Sequence, residues 1–216
     1  MDIRLGARLR AFCLIILSGC AGPAASVTLV DFTFDDGSGG FTLFPHALGS
    51  GVIGATWQDD ANRLTDLLGN PGRALAASGF STGNRLHLSL AFAADLDFAL
   101  ERLELDVRAS TSGPQSFRLE HAGTVLSLGA LTSAFSHVDL ALNERGRGDA
   151  LVLDFIGVGA TTTSGTWRLD NVRLHGSLSP VPLPGAAFLL VTPLVGLLLR
   201  GLGVAHGRAA STLRLA

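Results

Sequence analysis

Gly79-Phe80-Ser81-Thr82-Gly83 has the Gly-x-Ser-x-Gly spacing that, between a strand and a helix, lifts a serine hydroxyl above a sheet for nucleophilic attack. Here Arg85 to Ala93 follows it with the period-two alternation of a strand, so the segment reads as a turn. Asp35-Asp36 and Asp59-Asp60 are adjacent acids beside glycine or polar residues. A catalytic dyad needs carboxylates converging from separate strands, so these read as solvated turns. His46, His87, His121, His137 and His175 stand singly, without the helical spacing of a metal-binding pair, and read as polar strand or loop residues. The cysteines are Cys13 and Cys20, both near the N-terminus, so the body of the chain has no internal disulfide, thiolate metal site or thiol nucleophile. No catalytic residue is assigned, and the chain is not expected to be an enzyme.

The elements that hold these residues are strands. Leu86, Leu88, Leu90 and Phe92 alternate with His87, Ser89 and Ala91; Leu103, Leu105 and Val107 alternate with Glu104 and Asp106. Such alternation buries one face of a strand. Residues 27–34, 117–122, 124–128, 138–142, 151–158 and 166–175 are further candidates, separated by turn formers such as Asp36-Gly37-Ser38-Gly39-Gly40, Gly69-Asn70-Pro71-Gly72 and Ser112-Gly113-Pro114. Many short strands without a sustained helical period predict an all-β, jelly-roll-like β-sandwich. Between Trp167-Leu169 and Val172-Leu174 the buried parity shifts by one residue, which predicts a bulge at Asp170-Asn171.

That architecture suggests two binding sites. Jelly-roll modules often hold a structural Ca²⁺ where first and last strands meet, and the carboxylates there are Asp31 and Asp170. The competing expectation is that Asp170 accepts hydrogen bonds from backbone N–H groups freed by the bulge. For a glycan, the usual platform is an exposed Trp or Tyr. The chain has no Tyr, and Trp167 lies in step with Leu169, which leaves Trp57 as the candidate platform.

All sixteen basic residues are arginine. Between Val27 and Pro180 ten arginines face seventeen acids, so this stretch is acidic by seven. That excludes the basic footprint of a nucleic-acid binder. About 150 residues suffice for one substantial core.

Both ends read as membrane signals. Arg4, Arg8 and Arg10 precede the apolar Ala11 to Leu17 and small residues up to Ser26, which is the layout of a secretory signal peptide over residues 1–26. Leu17-Ser18-Gly19-Cys20 resembles a lipobox, making Cys20 a lipidation candidate; ordinary cleavage after Ala24, Ala25 or Ser26 is the alternative. At the other end a linker, 177–184, contains Val181-Pro182-Leu183-Pro184. An apolar run from Gly185 to Leu199 would make a helix of about 22 Å, short of the roughly 20 residues a bilayer needs. Extension to Ala205 supplies the length by taking in Arg200, and Arg208 and Arg214 lie in the tail 206–216. Basic residues after a transmembrane helix at 185–205 place the C-terminus inside and residues 27–176, the sandwich, outside.

In Val181-Pro182-Leu183-Pro184, followed by an apolar segment and arginines, the C-terminus resembles the PEP-CTERM sorting signal in its VPLP variant, with Leu183 where the commoner form has glutamate. The body is similar to the β-sandwich domains that accompany that signal, in Asn70-Pro71-Gly72, Ala77-Ser78-Gly79-Phe80, Ser112-Gly113-Pro114-Gln115-Ser116-Phe117 and the run from Gly165 to Gly176. The resemblance implies export by a Gram-negative bacterium, recognition of the tail by an exosortase-type membrane protease at the inner membrane, and release or transfer to the cell surface where exopolysaccharide is made. Two functions stay open: a non-catalytic surface or matrix protein, and a lectin-like module that binds exopolysaccharide.

Overall fold

The structure, a computed structural model, describes residues 26–181. The signal region with Cys20, residues Pro182, Leu183 and Pro184 of the sorting motif, the apolar run and Arg200, Arg208 and Arg214 lie outside the described residues; Val181 is the last of them. Ten strands follow in order: β1 (Val27–Phe32), β2 (Ala47–Leu48), β3 (Val52–Asp59), β4 (Thr65–Leu68), β5 (Arg73–Ala77), β6 (Arg85–Ala109), β7 (Ser116–His121), β8 (Thr124–Ala130), β9 (Ser136–Val158) and β10 (Trp167–Pro180). Among the described residues no helix is long and apolar enough to cross a membrane.

Two strands build both layers. The first half of β6 pairs with β3 on one side and with the second half of β9 on the other, and β9 there pairs with β7, which pairs with β8. Beyond a register break between Ala91 and Leu96, the second half of β6 pairs with the first half of β9 and with β10. The far edge of β10 carries β5 and β4 along its first residues and β1 and β2 farther on. Every pairing is antiparallel, and the result is an all-β sandwich.

The layers meet through aromatic rings. Trp167 of β10 lies 5.1 Å from Phe117 of β7 and 6.2 Å from Phe155 of β9, centroid to centroid. Trp57 of β3 lies 5.9 Å from Phe32 of β1 and 5.2 Å from Phe155. Around them Leu86, Leu88, Leu90, Leu103, Leu105, Val107, Leu151, Leu153, Leu169, Val172 and Leu174 are all buried, so the alternating positions read from the sequence form one core. Phe117 and Phe98 each cover a cross-strand glycine, Gly129 and Gly146, where an added Cβ would meet the ring at 2.2 and 2.3 Å.

The bulge falls where the parity placed it. The β10–β6 register breaks between Asp170 and Arg173, and Asn171 takes φ +47°. A second shift, between Leu100 and Arg102 of β6, moves the buried parity from Phe98 and Leu100 to Leu103 and Leu105. The linker expected from residue 177 begins later, because Ser177 to Pro180 pair with Ala99 to Leu96 and extend β10. Polar small residues disguised this stretch, yet a strand at that position satisfies its backbone through the ladder whatever its side chains.

Candidate functional site

The Gly79 to Gly83 segment is a 3₁₀ turn at Phe80–Thr82 between two glycines at φ +88°. Thr82 donates its hydroxyl to the Gly79 carbonyl at 2.8 Å, and strand β6 follows instead of the helix a nucleophile elbow needs.

Asp31 and Asp170 are each held by other partners. Asp31 is in register with Arg173, whose Nε donates to its Oδ1 at 3.3 Å. Asp170, fully buried at the bulge, accepts the backbone N–H of Asn70 at 2.5 Å and of Asn171 at 2.8 Å. The Asn171 amide then donates to the Asn70 carbonyl at 2.9 Å and to Asp106 at 2.8 Å. The carboxylate therefore ties the Asn70 turn to the bulge. Burial pushes its pKa up to about 6, against the two N–H donors and with the charges of Asp35 and Asp106 adding to the rise. Among the described residues no group of three or more His, Cys, Asp or Glu is placed to hold a metal ion.

Trp57 is not a platform. Only 3% exposed, it packs between Phe32, Phe34 and Phe155, because its parity on β3 matches the buried Ala55 and Asp59 rather than the exposed Thr56 and Gln58. Its indole N–H and that of Trp167 are buried without an acceptor among the described residues. Among the described residues the most exposed aromatic ring is Phe44, in the loop after β1.

Four of the histidines, scattered in sequence, are gathered with acids by the strand pairings. His87 Nδ1 lies 2.7 Å from Asp154 and Nε2 2.9 Å from Asp60, and protonation of the ring lets both nitrogens donate. Burial alone would lower its pKa; the hydrogen bonds to Asp154 and Asp60 outweigh it and raise the value. His121 pairs with Glu144 at 2.8 Å and His137 with Asp106 at 2.9 Å, while His175 lies 3.7 Å from Glu104. Arg102 bridges the same face, bidentate to Asp139 at 2.7 Å on both oxygens and 2.7 Å from Glu104. Each of these side chains is engaged with an acid, most of them across strands.

Two polar features stand apart from these pairs. The first is a shallow cavity of about 410 Å³ at the end of β3, lined by Trp57, Gln58, Asp59, Asn62 and Leu64. Asp59 is saturated: it accepts the Arg63 N–H at 2.9 Å and the Asn84 amide at 2.9 Å, which fixes the loop that walls the cavity. The side-chain amides of Gln58 and Asn62 have no hydrogen-bond partner among the described residues. The second is Arg168 of β10, directly opposite Arg108 of β6 in the register. No sequence motif marks either feature; both depend on which strands become neighbours.

No family model matches the chain, and no curated protein matches it. Solved structures do. The chain is similar to a family 29 carbohydrate-binding module in complex with mannohexaose, at 11% identity over 70% of this chain and 92% of that one, with a TM-score of 0.40. It is similar to another family 29 carbohydrate-binding module at 10% identity over 72% and 90%, TM-score 0.39. A family 11 carbohydrate-binding module from Clostridium thermocellum, in complex with a β-1,3-1,4-mixed-linked tetrasaccharide, is similar at 12% identity over 58% and 90%, TM-score 0.36.

Proposed function

We propose that this chain is an exported, non-catalytic, jelly-roll-like module that binds polysaccharide at the cell surface. The observation that carries the reading is the cavity at the end of β3. It is concave, its wall is fixed by the Asp59–Asn84 pair, and it presents two amides, Gln58 and Asn62, whose donors and acceptors are free for hydroxyl groups. A carboxamide both donates and accepts, so it can satisfy a sugar hydroxyl in either sense. Trp57 contributes by packing beneath the wall, not by stacking on a sugar.

Delivery to that surface is the role of the ends of the chain. Residues 1–26 direct export, 185–205 hold the precursor in the inner membrane, and Val181 to Pro184 are read by an exosortase-type protease. The test is binding of labelled polysaccharides, neutral dextran among them, to the exported protein and to a Gln58→Ala, Asn62→Ala variant. Saturable binding that the double variant weakens about tenfold is the expected result. Absence of saturable binding to every polysaccharide leaves a domain that is displayed without a glycan ligand, which is the competing function.

A further inference from the structure

We infer that Arg108 and Arg168 form an anion-selecting contact on the outer face of the second layer, taking the carboxylate of a uronic acid unit in an acidic polysaccharide. The inference rests on the polysaccharide reading but concerns a separate place in the fold.

Cross-strand neighbours on one face interact most strongly, and like charges directly opposite one another are destabilising. β10 and β6 nevertheless place Arg168 opposite Arg108. Both are half-buried, so their charges are less screened than those of an arginine in open solvent. Neither takes part in an ion pair among the described residues.

Each guanidinium instead rests on a neutral group. Arg168 donates from Nη1 to the Leu68 carbonyl at 3.2 Å, across β5 at the end of β4. Arg108 lies 6.0 Å from the centre of the Phe135 ring, just before β9 on the opposite side. Neither partner carries a charge, and the Arg108 charge acts directly on Arg168. The carboxylates nearest along the face are already engaged: Asp106 accepts from His137 and Asn171, and Asp170 accepts the N–H groups of Asn70 and Asn171.

The pair is therefore an uncompensated positive spot on a domain that is acidic by seven overall. A polyanion would be repelled by the domain at large, so attraction has to be local. Two planar forks on adjacent strands suit a carboxylate, which accepts up to two N–H bonds from each. The partly exposed Phe135 ring beside Arg108 gives the apolar face of the same sugar a surface to rest on.

The experiment measures binding of the exported protein to polygalacturonate and to neutral dextran, for the wild type and for Arg108→Gln, Arg168→Gln and Arg85→Gln. Arg85 is an exposed arginine on the other layer and serves as the control. The expected result is tighter binding of polygalacturonate than of dextran, lost about tenfold in Arg108→Gln and in Arg168→Gln but not in Arg85→Gln, with dextran binding unaltered throughout. Polygalacturonate should also raise the melting temperature of the wild type and not that of the doubly substituted protein. Equal binding of polygalacturonate by wild type and both variants overturns the arginine site while leaving the polysaccharide reading intact. Failure to bind polygalacturonate overturns the site, and failure to bind any polysaccharide of the first experiment overturns the polysaccharide reading as well. Equal loss in the Arg85 variant shows diffuse charge attraction and likewise overturns the site.

Discussion

At the scale of single residues the chemistry is dominated by two titratable groups whose environments act in the same direction. His87 has its pKa raised by Asp154 and Asp60. A base with a raised folded pKa contributes stability that is complete below the unfolded value, near 6.5, and is lost as pH rises through the folded one. Asp170 is an acid whose pKa is raised, to about 6, by burial. Its folded state keeps the proton longer than the unfolded chain does, so its contribution is complete below about 3.8 and is lost as pH climbs through 6. The domain should therefore unfold at lower urea concentration at pH 8 than at pH 5. His87→Gln should cost about 1 kcal/mol at pH 5.5 and less at pH 9, read from urea midpoints at both values. A constant difference at the two pH values would show that the ring is neutral in its pocket. In Asp170→Asn the fall between pH 4 and 7 should flatten, since the carboxamide does not titrate.

Elements were legible in the sequence wherever one face is buried. Leu86 to Phe92 and Leu103 to Val107 are buried at the positions their alternation marks, and the Trp167 to Leu174 parity shift located a bulge. Parity marks Trp167 as core but leaves Trp57 ambiguous, because its strand is broken up by Gly54, Thr56 and Gln58. What the pattern could not show is that residues 85–109 form one strand passing through both layers, because polar residues at 95 and 97 interrupt its apolar rhythm. Nor could it bring His87 to Asp154, sixty-seven residues away, or Arg168 to Arg108; such neighbours exist only once strand order is known. The same register makes firm demands on glycine. An added Cβ at Gly176 would stand 2.2 Å from the Ala99 carbonyl oxygen, a backbone atom that cannot move without breaking the β10–β6 ladder. Gly176→Ala should cost about 2 kcal/mol, whereas Gly54→Ala, whose nearest neighbour is 4.0 Å away, should change stability by less than about 0.5 kcal/mol. Urea denaturation of the two variants checks the contrast, and equal midpoints would mean that β10 has slack at the register shift between His175 and Gly176.

On the scale of the whole molecule, one core within residues 26–181 has to survive whatever happens to the ends of the chain. The carboxylates of Asp106, Asp139 and Asp170 are engaged by histidine, arginine and backbone N–H groups, so melting curves in millimolar Ca²⁺ and in chelator should coincide; a higher melting temperature in Ca²⁺ would reveal a cation that Asp170 helps to bind. If the tail is processed as proposed, the last strand limits where the cut can fall. Ser179 pairs with Asp97 and Pro180 with Leu96, so a cut before Pro180 removes ladder partners from β6, whereas a cut after Val181 removes none. The motif Val181 to Pro184 begins where the ladder ends, which is where a protease can act without unfolding its product. Intact-mass measurement of surface material should accordingly give a C-terminus between residues 181 and 185, with the longer chain accumulating in the membrane fraction when the sortase is deleted. A chain ended by design after Val181 should leave the membrane fraction and keep the melting temperature of the processed protein. One ended at Leu174 should be less stable, since it loses the pairs from His175 to Pro180. Mature protein still carrying Ala216 in a strain with an active sortase would rule out processing at this motif.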